Sequence, residues 1–459
     1  MRVTALGHSS VLVELSRSAV LIDPVFFDPF GEGAVVSCPS REIDPARLPK
    51  LDLVVLTQAG VDHFDLSTLE RLPRDCMIVC PKAPTMLYAL EKLGFTSVRP
   101  VDVNSLLKFG KFELLTTPST RPELEFGVVL KDQTGTFWDQ VDTNLTAPMI
   151  DHVRAVVGRI HLLFAPYALQ NVSYVGSQRA GFPVQTVRAH IASILRTAPT
   201  LVVPSSAGFR FTEPFAWTNA FVFPISRTRF LDELARAAPE QRSAIGDPGD
   251  VFEIAQDAVI RHRAASPVAT MLRDDTHLID FDPTAHVPPL QDPNCDGLPI
   301  EVIDRQVDET LEELTRFVRE SYRTSEPLID EHRRARTIYG LGVVFPDGSE
   351  RWLRIHFEPT EPIVVRGQGP IRGALTTHRI AASVLTARAR YERSYFYTGG
   401  LSRLSLISGA TLIDGKVEIV CREPPDLLIY YLHQKPPGPE EHWKTYCDHQ
   451  LARLRGARA

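Results

Sequence analysis

The chain has 459 residues and a formal net charge of -6, with 44% hydrophobic and 23% charged residues. That length predicts two or three domains, and that hydrophobic content excludes global disorder. No long basic run exists, so no nucleic-acid partner is expected, and six irregularly spaced cysteines do not form a disulfide scaffold. No basic segment followed by a long apolar one is visible at the start, and no apolar run approaches the ~20 residues that cross a bilayer. A cytoplasmic protein with no membrane span is expected.

Residues 1–6 read as a strand, Gly7-His8-Ser9-Ser10 as a turn, and residues 11–15 as a second strand. The run 19–22 leads into Asp23-Pro24, where proline ends the strand. Residues 51–57 are apolar and bounded by polar residues, which predicts a buried strand. Asp65 and Ser67 are candidate helix caps. Residues 76–80 form a further strand whose two cysteines, Cys76 and Cys80, lack the second pair that a thiolate metal site needs. A helix over 83–93 and several strands between 106 and 138 follow. This mixture of hairpins and strand-helix units fits two sheets with helices outside.

That order, with the opening Gly7-His8-Ser9-Ser10-Val11-Leu12-Val13-Glu14 and Leu21-Ile22-Asp23-Pro24, resembles the metallo-beta-lactamase fold. Within it, the resemblance is to the ascorbate-lactonase-like branch; the opening and Asp142-Thr143-Asn144 also resemble sialic-acid hydroxylases. It covers roughly residues 1–245. It implies an α/β, four-layer αββα sandwich over 1–245; beyond it, the turn-rich sequence and predicted elements give a rim extension and connector over 246–300 and a smaller C-terminal α+β domain over 301–459.

The family motif His-x-His-x-Asp-His falls on residues 58–63, where Gln58 and Gly60 stand at the two histidine positions and only Asp62 and His63 remain. Thr117 to Thr120 supplies no histidine where the next ligand is expected. Asp142 matches the bridging aspartate, with Asp139 as an alternative on the opposite side if the segment is extended. Ser205 or Ser206 stands where the last histidine would be. The resemblance therefore implies no ordinary two-metal hydrolase. It leaves Asp62, His63 and Asp142 as ligands for one Zn, Mn or Fe ion, or a metal-free pocket in which Asp62 and His63 shape the turn. His8 is a candidate acid, base or hydrogen-bond donor, or a histidine bonded to its own turn. Asp23 suits an Asx turn as well as a site.

Tyr167, Gln170, Asn171, Tyr174, Trp217 and Asn219 are candidates to line a small-molecule pocket, and Arg210 to clamp an anion, or else to pair with a nearby acid. Residues 245–250 and 283–299 are turn-rich. A helix is predicted over 302–320, from Leu311, Leu314 and Phe317. Strands are predicted over 339–344 and 351–357 around Pro346-Asp347-Gly348, and over 363–365, 404–407 and 416–421. A helix is predicted over 376–390, capped by Thr376. The element order has a faint similarity to sterol-carrier-like modules, which implies an apolar tunnel. His442, Cys447 and His449 are expected on a solvated face of the final helix.

Two classes of function stay open. One is an atypical enzyme for hydrolysis or rearrangement of a small polar organic substrate, with at most one metal. The other is a non-catalytic subunit or binding protein with a protein partner or a second copy. The hydroxylase resemblance adds an oxygenase with a separate redox partner, since the chain lacks paired Cys-x-His segments for an iron-sulfur cluster.

Overall fold

The apolar run around Leu12 folds as a hairpin of Ser10–Leu15 and Ser18–Ile22, with Val11 opposite Ile22 and Leu15 opposite Ser18. The β-branched Val11, Val13, Val20 and Ile22 recur at alternate positions of the two strands, which suits a pleated surface with one face on the core. The computed structural model describes residues 1–122, 124–167, 184–256, 258–367, 369, 374, 376–406, 410–413, 416–419 and 426–456. These fall into two units, which are described separately. The first holds the described residues up to Pro283 apart from Glu213–Thr218; the second holds Glu213–Thr218 and those from Thr284 onward.

The first unit contains an eight-stranded sheet in the order Ala258–His262, Val251–Ala255, Arg2–Gly7, Ser10–Leu15, Ser18–Ile22, Leu53–Val55, Met77–Pro81 and Val98–Val101. A six-stranded sheet runs Leu201–Ser205, Leu162–Pro166, Gly135–Asp139, Gly127–Asp132, Phe112–Thr117 and Leu106–Phe109. The inner faces of the two sheets share one core, where Val11, Val13, Val20, Ile22, Leu53 and Val55 meet Leu114, Val128, Leu130, Phe137, Leu162, Phe164 and Val203. Burial of each such side chain contributes roughly 1.5–3 kcal/mol. Residues between them in sequence, such as Leu12, Leu21 and Val54, are also buried, because helices cover the outer faces. The helices are Leu66–Leu69 and Pro84–Lys92 in the first half, then Ala147–Val157, Val184–Thr197, the single turn Asn219–Val222 and Arg227–Ala237. Asp65 caps the first of them by accepting from the Ser67 and Thr68 N–H groups. The result is the helix–sheet–sheet–helix layering expected for this part of the chain.

The boundary expected at residue 245 falls inside this unit. Val251–Ala255 pairs antiparallel with Arg2–Gly7, and Ala258–His262 pairs with it in turn, so residues 251–262 extend the first sheet. The turn-rich sequence at 245–250 marks a return to the sheet rather than an exit from the domain.

The second unit has a five-stranded sheet in the order Pro362–Gly367, Glu350–Phe357, Ile338–Val344, Thr376–Ala381 and Ser402–Leu406. The helix Ile300–Thr324 buries Ile303, Val307, Leu311, Leu314 and Val318 along one stripe and ends at Ser325, which takes a left-handed conformation. The helix expected over 376–390 is corrected: Thr376–Ala381 is a strand parallel to Ile338–Val344, and only Ala382–Ala389 is helical. The β-branched pair Thr376-Thr377 and Ile380 favour the pleated state, which outweighs the capping cue of Thr376. His442 and Cys447 are buried in the helix Pro439–Gly456, not solvated, and His442 stacks on Tyr391 with ring centroids 3.9 Å apart. Asp426 caps Leu427–Gln434 and also receives His378 Nδ1 at 2.8 Å and the Tyr339 hydroxyl at 3.2 Å. Among the described residues, no helix is long and apolar enough to cross a membrane. Residues 407, 420 and 421 of the predicted strands lie outside the described residues.

Candidate metal centre

Parallel pairing aligns Ile22 with Val55, so the two strands end side by side, with Asp23 beside Leu56 and close to Thr57. Asp23 is fully buried and its backbone is left-handed, with φ 40°. Its carboxylate accepts from the Thr57 N–H at 2.8 Å, the Thr57 hydroxyl at 2.5 Å and His63 Nδ1 at 2.8 Å. With Nδ1–H donated to Asp23, the opposite nitrogen of the neutral ring, Nε2, presents a lone pair. A carboxylate that orients a histidine in this way is the usual support of a metal-ligating imidazole.

His63 Nε2 lies 3.2 Å from Asp142 Oδ2 and 3.6 Å from Asp62 Oδ2. Neither approach is aligned as a hydrogen bond, so this buried nitrogen has no hydrogen-bond partner among the described residues. Ligand atoms around an ion with ~2.0–2.1 Å bonds in a tetrahedron stand about 3.3 Å apart. One imidazole nitrogen thus stands near ligand spacing from each of two carboxylate oxygens, a set for one small divalent cation at most. The set does not fit two, because Gln58 and Gly60 provide no strong ligand.

His8, Asp62 and His63 also offer ligand atoms within 4.8 Å of one another. The tautomer of His8 speaks against its acting as a ligand. Its Nδ1 accepts from the Gly208 N–H at 3.2 Å, which leaves the ring proton on Nε2 in the neutral form. That Nε2 is 3.3 Å from Asp62 Oδ2 and, like His63 Nε2, makes no aligned hydrogen bond among the described residues. Gly208 is tight against this histidine: a Cβ there would come within 2.8 Å of the His8 backbone nitrogen.

Gln58 has a definite place. Its Nε2 donates to Asp142 Oδ2 at 3.1 Å. Gly60 leaves room for it, since a Cβ at 60 would come within 2.9 Å of Asp62 Oδ1 and 3.2 Å of Gln58 Oε1. Asp142 and Asp139 are not on opposite sides of a strand. The strand Gly135–Asp139 ends at Asp139, and Val141 turns the chain with φ 51°. Asp139 is fully buried, receives the Val141 N–H at 3.0 Å and has Oδ2 unpaired among the described residues. His8 and Ser206, like Asp23 and Val141, have positive φ, at 50° and 63°. Non-glycine residues in this region cost of order 1–3 kcal/mol each, and such strain concentrates at functional turns.

The electrostatics follow from the packing. Burial pushes the Asp62 carboxyl up, but His63 and His8 beside it hold it at about 2. Burial opposes a proton on His63, but Asp62, Asp142 and Asp23 hold its pKa well above the ordinary histidine value. Without a cation, His63 is therefore an imidazolium among carboxylates. Burial, with Asp23 and Asp142 adding to it, pushes Asp139 up to about 8.

Other candidates do not converge here. Arg210 is tied to Asp275, with Nε to Oδ2 at 3.0 Å, because Asp275 is fully buried and needs a cation. This corrects its assignment as an anion clamp. The Tyr167 hydroxyl donates to the Ala207 carbonyl at 3.0 Å, and Asn219 bridges the Phe211 N–H and C=O. Trp217 belongs to the second unit, where its Nε1 donates to the Gly400 carbonyl. Gln170, Asn171 and Tyr174 lie outside the described residues. Ser205 and Ser206, with His8, Tyr167 and Gly208, line a cavity of about 30 Å³, room for one water. The sequence reading missed the roles of Thr57 and Gln58; the parallel register of 20–22 with 53–55 sets Asp23 beside Leu56, from where its carboxylate reaches the Thr57 N–H.

A family model described as a beta-lactamase superfamily domain matches residues 18–201. A protein of Mycolicibacterium smegmatis, named as a Rieske 2Fe-2S iron-sulfur protein, is 23% identical over 235 residues, covering 47% of this chain and 45% of its own length. A UPF0173 protein of Pyrococcus furiosus is 20% identical over 192 residues, covering 42% of this chain and 81% of its own. The chain thus spans less than half of the first relative and most of the second. Among solved structures, a metallo hydrolase from Ignicoccus hospitalis is 18% identical, with a TM-score of 0.41 over 55% of this chain and 98% of that one. CmlA, a diiron beta-hydroxylase from Streptomyces venezuelae, is 15% identical, with a TM-score of 0.39 over 57% of this chain and 54% of that one.

Proposed function

Residues 18–201 of this chain belong to the beta-lactamase superfamily in its metallo-beta-lactamase fold, and on that premise we propose a one-metal enzyme acting on a small polar organic substrate by hydrolysis or rearrangement. His63 Nε2, Asp62 Oδ2 and Asp142 Oδ2 are the ligands in this reading. The observation that carries it is the buried His63 Nε2, oriented by Asp23 and left without a hydrogen bond. An ion held there would polarise a substrate oxygen and lower the pKa of a water.

The residues around the ligands have separable tasks. Asp23 fixes the His63 ring and its tautomer. Gln58 donates to Asp142 and so fixes which carboxylate oxygen turns toward His63. His8 presents its Nε2 toward Asp62, from where it can donate a hydrogen bond to a substrate oxygen. An oxygenase would use the same ligands with iron and a separate electron donor, so the identity of the metal separates it from a hydrolase.

A non-catalytic reading draws on one observation, that a protonated His63 offsets part of the charge of Asp62, Asp142 and Asp23 without any ion. Elemental analysis decides between them. Protein purified without added metal, and then dialysed against Zn, Mn or Fe(II), is expected to retain about one ion per chain. The His63→Ala and Asp142→Asn variants are expected to retain none. Absence of stoichiometric metal under all three conditions, or retention in both variants, overturns the metalloenzyme reading.

A further inference from the structure

The strand Pro362–Gly367 pairs with Glu350–Phe357 on one side only; among the described residues, no strand lies on its other side. Its outward backbone N–H and C=O groups are open to a further strand. Ile363 and Val365 are 51% and 41% exposed. The alternate residues Val364 and Arg366 instead line a groove of about 550 Å³ against the helix Ile300–Thr324. From that helix, Arg316, Arg319 and Arg323 enter the groove at spacings of three and four, which puts them in one row. None of the three makes a hydrogen bond or ion pair among the described residues. Arg351 and Arg366, by contrast, are paired with Asp304, Asp308 and Glu312. Glu312 and Glu320 also line the groove, so four arginines face two glutamates.

We propose that this groove docks an extended acidic peptide segment of a partner protein, which adds as a strand to Pro362–Gly367 and lays carboxylates against Arg316, Arg319 and Arg323. Two independent features select that occupant. The open strand edge calls for a chain with its own backbone donors and acceptors, which a free phosphate lacks. The arginine row calls for negative charge at intervals along it. A second copy of this chain is disfavoured, because pairing the same two edges would bring two arginine rows together. The exposed Ile363 and Val365 give the peptide's apolar side chains a surface on the face away from the arginines.

The test titrates the full chain with a fluorescein-labelled decapeptide of alternating glutamate and valine. Parallel titrations use the same peptide N-methylated at every second amide, the Arg316→Gln/Arg319→Gln/Arg323→Gln variant, and sodium pyrophosphate as competitor at matched ionic strength. All three arginines are exposed side chains, and circular dichroism confirms that the variant is folded. Saturable binding of the plain peptide is expected. N-methylation and the triple substitution should each weaken it about tenfold or more, since each exposed ion pair adds a modest increment. Pyrophosphate should not displace it. The proposal is overturned by no saturable binding, by unchanged affinity in the variant, by equal binding of the N-methylated peptide, or by displacement with pyrophosphate.

Discussion

Replacing Asp23 with asparagine separates the metal-holding state from the metal-free one without enlarging or emptying the site. The asparagine side-chain oxygen still accepts from the Thr57 N–H, where Asp23 does so at 2.8 Å. The new amide N–H₂ sits where Oδ2 accepted from the Thr57 hydroxyl and from His63 Nδ1. The hydroxyl can turn to accept. His63 keeps its bond only by moving its proton to Nε2, so that Nδ1 accepts. A neutral ring with Nε2–H suits the metal-free protein, since the Asp62 and Asp142 carboxylates lie 3.6 and 3.2 Å from that nitrogen. It cannot ligate an ion. Binding would require returning the proton to Nδ1 and leaving two buried donors face to face, at a cost of about 1–3 kcal/mol. That corresponds to roughly 5- to 150-fold in affinity, in line with the 10–100-fold typical of lost supporting carboxylates. Competition against a chromophoric chelator measures the ratio for Zn and Mn, and thermal unfolding without metal checks that the fold is kept. A metal affinity within threefold of the unsubstituted protein would refute the role of Asp23 as the group that fixes His63.

The surroundings of the site lead to three further expectations. Asp139 has a folded pKa of about 8 against an ordinary value of 3.8, so its stabilising contribution is complete below pH ~4 and declines as pH rises toward 8. Asp139→Asn should remove that slope and raise the stability of the metal-free protein at pH 7.5 by a few kcal/mol, seen by urea unfolding at pH 5 and 7.5; an unchanged slope counts against a protonated Asp139. Gly60→Ala should press on Asp62 Oδ1 and Gln58 and reduce metal affinity about tenfold or more, with little effect on unfolding without metal; equal affinity would show that the loop yields. Arg210→Met should lower stability by about 1–2 kcal/mol, because Asp275 loses a partner while Arg273 remains at 3.5 Å and Arg210 is itself partly exposed. It should leave metal stoichiometry unchanged, and loss of metal would return Arg210 to the site.

The layers of the first unit were legible because short apolar runs ended at Asp23-Pro24 and Asp65 announced a helix, and these are local signals. What the sequence could not convey is which atoms face one another. Asp23 and His63 are 40 positions apart, and Arg210 and Asp275 are 65 apart, so neither pairing leaves a local trace. The alternation rule failed between Asp139 and Asp142 because Val141 adopts a left-handed turn that a β-branched residue rarely takes. At Thr376 a capping cue competed with β-branched propensity, and pairing with the central strand Ile338–Val344 decided in favour of the strand. The aromatic and amide residues near Tyr167 read as a pocket by type alone. In the structure, Tyr167 and Asn219 spend their polar atoms on main-chain groups instead.

The place of Arg2–Gly7 between Ser10–Leu15 and Val251–Ala255 has a consequence for synthesis. Arg2–Gly7 is an interior strand whose second neighbour is made some 250 residues later. Until then the nascent chain carries an apolar edge, from Val3 to Ala5, with no partner. Folding of the first unit is therefore coupled to translation through residue 262, and a fragment ending at 245 presents that edge permanently, which is a route to aggregation.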